Sequence, residues 1–397
     1  MPTAKPTSNQ ASQTPERPTT RQNPTSILAF GLTLIVFHSN AMAEKFHYKP
    51  GDKVTTIKWK TEFKVGKEVK SRQELGEDFV VEKLQGNWLY IRSKAGWVSR
   101  DDVVAFEQAV SYFTKKLDKE RSDTNYYDRG CLWHKRGEYD LAISDFNDAI
   151  RLDPDDAALY NGRGSAYTST KQLERAMVDF DKAIQLDPSN AMVFNNRGFA
   201  FADKKQYDRA LADYDQAIRL DPTLAMAFNN RGIAYADKKQ FDRALADYDQ
   251  AIELDPTLAM AFNNRGICHH KLGRYEQEIA DYERAIQFEP TVPHYNNLAW
   301  YLATCPKQDF RDGHRAVTLA KKACELCNWK ETSYVGTLAA AYARVGDFTR
   351  AQDYLDIAIQ MDATYAKDSR AKMKEAFDNE QPYTESVTPA SVDASKD

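Results

Sequence analysis

The sequence predicts a mainly α-helical solenoid of about seven helix hairpins, preceded by a small β-barrel. Two observations predict the solenoid. A 34-residue period runs through the middle of the chain, and small residues and a proline recur at fixed positions of every period. One observation predicts the barrel: short apolar runs separated by turn residues precede the repeats, a pattern that is typical of strands.

The composition fits a folded protein without a nucleic-acid partner. The 397 residues include 54 basic and 58 acidic side chains, with a net charge of −4. Nucleic-acid-binding domains usually carry a marked basic excess. Aromatic residues make up 12% of the chain, which argues against global disorder.

Residues 1–43 carry a predicted targeting signal behind a disordered tail. The apolar run from Ile27 to Phe37 is too short to span a bilayer as a helix and has the length of a signal-peptide core. Ala41-Met42-Ala43 supplies the small residues that signal peptidases accept. We expect cleavage after Ala43 and export to the periplasm or cell envelope; an uncleaved membrane anchor is the alternative.

Residues 46–106 have the pattern of a β-barrel of about five strands. Apolar runs such as Trp88-Leu89-Tyr90-Ile91 and Trp97-Val98 alternate with turn signals such as Lys94-Ala95-Gly96. This stretch resembles the bacterial SH3-like domain. The resemblance implies contact with a cell-envelope component, since such barrels often occur on exported proteins. A purely structural role for Trp88 and Trp97 in the barrel core is the alternative.

The repeats begin after a linker or capping helix at residues 107–122. Positions are numbered from 1 to 34 within each unit. In the five regular units, position 8 is always Gly, position 27 is Ala, position 32 is Pro, and positions 4 and 24 are aromatic. Small residues let two helices approach closely, aromatic rings fill the space between them, and Pro ends the second helix. This pattern resembles the tetratricopeptide repeat, which implies a right-handed solenoid that binds other proteins. Including two altered units, the repeats of residues 123–365 begin near Asp123, Ala157, Ala191, Ala225, Ala259, Val292 and Thr332.

The end of the solenoid departs from the regular pattern. Position 20 is Ala in the first four units and Glu278 in the fifth. The sixth unit has a longer loop, from Cys305 to Gly313, and the seventh lacks the final Pro. We expect residues 366–380 to form a helix that caps the last unit, and residues 381–397 to be a disordered tail.

Position 7 is Arg and position 23 is Asp in all five regular units, and both are lost together in the last two. Antiparallel helices bring these positions together, so we predict an ion pair inside each hairpin. A buried charge without its partner is far less stable than an apolar pair. This favours a structural role over an arginine row for an anionic ligand. The predicted pairs include Arg163–Asp179, Arg197–Asp213 and Arg231–Asp247.

The first helices carry a ladder of asparagines on the face that lines the inner surface of such solenoids. An amide side chain offers a donor and an acceptor, as a peptide group does. The ladder resembles that of the tetratricopeptide region of O-linked N-acetylglucosamine transferase, which holds peptide main chain. We predict that an extended peptide binds here, beside apolar residues; simple solvation of a helix face is the alternative. The predicted site is Asn195, Asn196, Asn229, Asn230, Asn263, Asn264, Asn296, Asn297, Met192, Met226, Met260 and Phe199.

We predict no catalytic, cofactor or metal site. The Cys324-Glu325-Leu326-Cys327 motif ends a second helix, where the helix dipole disfavours a thiolate. The adjacent His269 and His270 point in different directions on a helix. The sequence therefore predicts a non-enzymatic exported scaffold with a protein or peptide partner and no small-molecule substrate. The alternative is an accessory or remnant of a peptide-modifying enzyme of the O-linked N-acetylglucosamine transferase type.

Overall fold

The computed structural model describes residues 109–362 and 367–385, and short strand segments before residue 106. For the strands and for residues 367–369, only the backbone is described. The chain divides into two compact units, residues 1–154 and 155–397. Within the described ranges it has sixteen α-helices.

The first unit begins with strands that pair antiparallel in the order β1-β8-β2-β5-β6-β7-β3-β4. The segments between them, most of the predicted signal region (1–43) and the predicted cleavage site lie outside the described residues. Export and the SH3-like barrel of residues 46–106 therefore stay predictions. The strands are β1 (Leu34–Ile35), β2 (Lys53–Thr56), β3 (Thr61–Val65), β4 (Glu68–Gln73), β5 (Asp78–Gln85), β6 (Trp88–Ile91), β7 (Gly96–Ser99) and β8 (Val103–Ala105).

Hairpin one also belongs to the first unit. Helix α1 (Ala109–Lys119) packs against α2 (Asp123–Lys135), which pairs with α3 (Tyr139–Leu152). Phe113 of α1 is fully buried, which agrees with the amphipathic pattern of a covering helix. Ser122 caps α2 by accepting a hydrogen bond from the Asn125 amide at 3.2 Å.

The second unit holds hairpins two to seven and a final helix. A 3₁₀ turn at Gln308–Phe310 lies in the longer loop of hairpin six. The last helix, α16 (Lys367–Asp378), packs on α15 and buries Met373 and Phe377. In order, the hairpins pair α4 (Ala157–Ser169) with α5 (Leu173–Leu186), α6 (Ala191–Asp203) with α7 (Tyr207–Leu220), α8 (Ala225–Asp237) with α9 (Phe241–Leu254), α10 (Ala259–Lys271) with α11 (Tyr275–Phe288), α12 (Val292–Thr304) with α13 (Gly313–Leu326), and α14 (Thr332–Arg344) with α15 (Phe348–Met361).

In the five regular hairpins, the glycine at position 8 of the first helix lies against the aromatic ring at position 24 of the second helix. A Cβ on Gly232 would lie only 2.7 Å from Cε1 of Tyr248, and the same arrangement joins Gly198 to Tyr214. Both tyrosines are buried. A close-packed interior has no room for the extra carbon, so the small residue sets the distance between the helices.

The turn inside every hairpin except the sixth has a left-handed residue at position 15. Gly137, Gly273 and Gly346 supply it in three hairpins, with φ between +68° and +83°. In hairpins three and four, Lys205 and Lys239 adopt φ of +58° and +59°. Side chains disfavour this conformation, so these lysines are held there by the surrounding turn.

The last two hairpins replace the ionic pair by apolar packing. Leu298 and Leu338 are fully buried, and Leu319 and Tyr354 pack against the same cluster. None of the helices in the described part of the chain is both long and apolar enough to span a membrane.

Candidate functional site

Each regular hairpin contains the predicted arginine–aspartate pair in a two-bond geometry. Arg163 donates through Nε and Nη2 to the two carboxylate oxygens of Asp179, at 2.8 and 2.7 Å. The aspartates are almost fully buried, whereas the arginine side chains are about one-fifth exposed. The other pairs are Arg129–Asp145, Arg197–Asp213, Arg231–Asp247 and Arg265–Asp281.

The arginines also join successive hairpins, which the sequence alone did not predict. Arg231 Nη1 donates to Asp215 of the preceding hairpin at 2.7 Å, and its guanidinium lies over the Phe228 ring at 5.5 Å. The hydrogen bonds to Asp247 and Asp215 raise the pKa of Arg231 above its usual value against the opposing effect of burial. Three of its five N–H groups are therefore used internally, which leaves little capacity for an anionic ligand.

The asparagine side chains form a hydrogen-bonded chain across the first helices of the second unit. We call it the amide chain. Asn230 Nδ2 donates to Asn195 Oδ1 of the preceding hairpin at 3.0 Å. The equivalent bonds join Asn196 to Asn161 at 3.0 Å, Asn264 to Asn229 at 3.0 Å and Asn297 to Asn263 at 2.9 Å.

Shorter links close the amide chain inside each hairpin. Asn229 Nδ2 donates to Asn230 Oδ1 at 3.2 Å, and the Asn195–Asn196 and Asn263–Asn264 neighbours do the same at 3.3 and 3.4 Å. Asn195, Asn229 and Asn230 are buried. Each of these six amides thus spends one donor and one acceptor on other asparagines, and Asn196 Nδ2 also donates to Ser165 Oγ at 3.5 Å. At least half of the hydrogen-bonding capacity of these amides is used by the fold, and peptide binding along them stays a prediction.

The amide chain ends at hairpin six. Asn296 Oδ1 is buried and has no hydrogen-bond partner. Hairpin seven has Thr337 where earlier hairpins have the donating asparagine, and its hydroxyl donates to Ser333 O of its own helix at 3.2 Å. These residues line a cavity of about 210 Å³ that also contacts Trp300.

An exposed apolar row runs beside the amide chain. It consists of positions 2 and 9 of the first helices, which are seven residues apart and therefore share one helix face. Met192 and Phe199 in hairpin three are 41% and 48% exposed, and Met260 and Ile267 in hairpin five are 41% and 39% exposed. In hairpin four, Met226 and Ile233 occupy the same positions and are half-buried.

Hairpin five holds a buried carboxylate against a histidine. Glu278 is 1% exposed, and its oxygens lie 3.0 and 3.2 Å from His270 Nδ1. Burial raises the pKa of Glu278 to about 7. Burial alone would lower the pKa of His270, but the contacts with Glu278 and Glu385 outweigh it and raise that pKa to about 9.

Residues 381–385 lie against the first helices of hairpins five to seven, although the sequence predicts a disordered tail from residue 381 onward. Trp300 Nε1 donates to Glu385 Oε2 at 2.9 Å, and His270 Nε2 lies 3.7 Å from the same oxygen. The hydrogen bonds from His270 and Trp300 lower the pKa of Glu385 against the effect of burial. The Glu385 amide donates to Thr304 O at 2.9 Å, which is the kind of main-chain contact that an extended peptide makes with a helix surface.

A half-buried arginine holds the same segment from hairpin seven. Arg344 Nη2 donates to Tyr383 O at 2.7 Å and to Thr384 Oγ1 at 3.1 Å. The Tyr383 and Trp300 rings lie 6.0 Å apart. Burial lowers the pKa of Arg344 to about 10. The segment is therefore held by its backbone, one ring and one carboxylate.

Comparison with known proteins identifies the repeats. Residues 132–171, 164–204 and 200–239 match a family model described as TPR repeat, and residues 225–258 and 247–280 match models described as tetratricopeptide repeat. Residues 132–280 are tetratricopeptide repeats. No curated protein sequence matches the chain.

A solved structure shares this fold. The crystal structure of the APC/C heterotetramer Cut9–Hcn1 has a TM-score of 0.57, 16% identity, and coverage of 68% of this chain and 52% of that one. The chain thus spans about half the length of that relative. Two further similarities have lower scores. Yeast Tom70 has a TM-score of 0.49, 19% identity, and coverage of 69% and 58%. YrrB, described as a TPR protein with an unusual peptide-binding site, has a TM-score of 0.34, 25% identity, and coverage of 46% and 94%.

Several cysteines are buried in the hairpins, and one is hydrogen-bonded to the backbone of its own helix. Cys268 is buried in a small-residue position, where burial raises the pKa of its thiol to about 12. Cys324 is also buried, and its backbone carbonyl accepts a hydrogen bond from Cys327 Sγ at 3.3 Å. Among the described residues, no group of three or more His, Cys, Asp or Glu side chains could hold a metal ion.

The His270–Glu278 contact was missed from the sequence although a signal was present. In the tetratricopeptide pattern, positions 8 and 24 face each other across the hairpin, so positions 12 and 20 also do. Glu278 is at position 20, where the other four regular hairpins have Ala, and His270 lies opposite it at position 12. A glutamate in a position reserved for small residues predicts a polar partner opposite it.

Proposed function

We propose that this chain is a protein-binding scaffold that holds an extended peptide segment of a partner on the first helices of its second unit. The exposed apolar row carries this proposal. Met192, Phe199 and Met260 are each more than 40% exposed on these helices. Exposed apolar side chains gathered on one face of a folded protein are typical of binding surfaces.

The amide chain fixes the orientation of hydrogen-bonding groups beside the apolar row. Its asparagines are fixed by their neighbours, so the hydrogen-bonding groups that the partly exposed Asn263 and Asn264 retain have a set direction. A peptide lying along them exchanges hydrogen bonds with little loss of side-chain entropy. The apolar row then supplies contact area, and its methionines adapt to different side chains. Main-chain recognition through the amides and apolar contact through the row are the two parts of the proposed site.

The similarity in fold supports a scaffold role in general terms, because the similar structure of Cut9–Hcn1 is itself a heterotetramer. We further propose that the chain acts outside the cytoplasm, because residues 27–43 have the pattern of a signal-peptide core and cleavage site. The predicted SH3-like segment would then contact a cell-envelope component.

A random peptide library displayed on phage tests the binding proposal. Peptides selected on the wild-type chain are expected to lose about tenfold or more in affinity when the four exposed residues of the apolar row are changed together to Ser. The matched control changes Val178 and Ile357 to Ser, because these residues are 68% and 39% exposed on second helices. Equal binding by the row variant, or no selected peptide at all, would contradict the proposal.

A further inference from the structure

Hairpin five carries a polar pair where hairpins three and four carry alanines. At positions 12 and 20, hairpins three and four have Ala202 with Ala210 and Ala236 with Ala244, and hairpin five has His270 with Glu278. Glu278 is 1% exposed. Burying a carboxylate costs stability unless it is paired. A pair in this position therefore needs a reason other than packing, which two alanines already provide.

Glu278 orients the histidine toward the surface of the first helices. The carboxylate accepts from Nδ1 of His270, at 3.0 Å, which leaves Nε2 pointing to the other side of the ring. Trp300 Nε1 converges on the same point from hairpin six. One ring nitrogen from each hairpin thus faces a common oxygen, Oε2 of Glu385, at 3.7 Å for His270 and 2.9 Å for Trp300. Two N–H groups converging on one oxygen form a carboxylate-binding arrangement.

The site extends to the residues before the bound glutamate. Arg344 donates to the Tyr383 carbonyl, and Thr304 accepts from the Glu385 amide at 2.9 Å. The Tyr383 ring lies 6.0 Å from that of Trp300. The backbone contacts at Tyr383 and Glu385 select an extended segment, whereas the ring contact selects an aromatic residue two positions before the glutamate.

We propose that His270, Glu278 and Trp300 form a carboxylate-binding site for an aromatic-x-Glu segment of a partner peptide, and that the chain's own Tyr383-Thr384-Glu385 occupies this site as an intramolecular competitor. This inference rests on the proposed function in that the partner is a peptide. It adds the chemistry of the ligand and a second location, in hairpins five to seven, beyond the apolar row. The tail is not required as a cap, because α16 already buries Met373 and Phe377 against the last hairpins.

The test uses the full-length chain and a fluorescein-labelled peptide with the sequence of residues 379–385 and an amidated C-terminus. A variant with Tyr383→Ala and Glu385→Ala, whose own tail is released, is expected to bind this peptide at least about tenfold more tightly than the wild-type chain does. The control variant Gln381→Ala changes an exposed side chain next to the site and is expected to bind as weakly as the wild type. Equal binding by the released variant and the wild type would overturn the proposal.

A second variant keeps the test informative about the site itself. Adding His270→Ala and Glu278→Ala to the released variant gives hairpin five the alanines of hairpins three and four, so we expect the fold to be retained. This chain is expected to lose the peptide, and a peptide with Gln in place of Glu385 is expected not to bind the released variant. Retained binding in either case would overturn the proposal. Phage-selected peptides that depend on the apolar row should still bind the alanine variant, so failure of the carboxylate site and failure of the proposed function are distinguished.

Discussion

Asn230 donates its side-chain amide to Asn195 of the preceding hairpin at 3.0 Å, and both residues are buried. The asparagines therefore hold successive hairpins together, in addition to their proposed contact with a peptide. This changes the expectation for substitutions in the amide chain, since a ladder of solvated amides would tolerate replacement with little effect on stability.

Asn230→Ala is expected to lower the free energy of unfolding by about 1–3 kcal/mol, because it leaves the Asn195 carbonyl oxygen and the Asn229 amide group without a partner in a buried position. Chemical denaturation of the purified chain measures this change. Asn296→Ala is the matched control: the Asn296 carbonyl oxygen has no partner to lose, so its cost should be smaller. Equal stability of Asn230→Ala and the wild type would show that the chain of hydrogen bonds does not contribute to folding.

Arg231→Leu is expected to destabilise the chain by about 3–5 kcal/mol, because Asp247 would be left as a buried, unpaired charge. The double change Arg231→Leu and Asp247→Leu should cost much less, since hairpin six has Leu298 and Leu319 at the same two positions. Thermal or urea unfolding of both variants tests the pair. A double variant less stable than the single one would contradict this account.

Gly232→Ala is expected to destabilise the chain by about 1–3 kcal/mol through overpacking. The added Cβ would lie 2.7 Å from Tyr248 Cε1, inside the contact distance of the two atoms. A double-mutant cycle with Tyr248→Leu measures the coupling, because the smaller side chain removes the clash. Strict additivity of the two changes would mean that the glycine has another role.

Lys239→Gly is expected to stabilise the chain by about 1 kcal/mol, which reverses the usual effect of glycine. Lys239 adopts a φ of +59° in the turn of hairpin four, a conformation that costs a side-chain-bearing residue about 1–2 kcal/mol. Glycine already occupies this position in hairpins one, five and seven. Lys238→Gly, one residue earlier, is the control and should destabilise the end of the helix. Unfolding midpoints in urea compare the two variants, and a Lys239→Gly variant less stable than the wild type would contradict the prediction.

Contacts that recur inside every regular hairpin were predictable from the sequence, whereas contacts between hairpins were not. The arginine–aspartate contact recurs at the same two positions in each regular repeat, so Arg231–Asp247 is predicted by the pattern alone. The Arg231–Asp215 bond and the amide chain depend on the rotation and rise from one hairpin to the next. A single sequence does not contain these quantities. The fold of residues 381–385 was missed because its contacts join Glu385 to residues more than eighty positions away.

The carboxylate site in hairpin five is expected to weaken as the pH rises. His270 has a pKa of about 9 in the folded chain against an ordinary value of 6.5, so its contribution is complete below pH 6.5 and is lost as the pH rises through about 9. Glu278 has a pKa raised from 4.5 to about 7. Its contribution to stability is therefore complete below pH 4.5 and is lost as the pH rises through about 7. The other groups that face His270 are Glu385 of the tail and the Tyr301 ring of hairpin six, and Lys271 lies close enough to affect both carboxylates.

Binding of the tail peptide to the released variant, measured from pH 6 to pH 10 by fluorescence anisotropy, tests this dependence. The affinity is expected to fall as the pH rises toward about 9 and to be lowest above it, because the histidine then loses its charge and no longer attracts the glutamate. Glu385 keeps its charge over this range, because its pKa is lowered below the ordinary value of 4.5. A peptide with Gln in place of the glutamate is expected not to bind at any pH in this range. An affinity for the glutamate peptide that is constant across this range would show that the charge of His270 does not contribute to binding.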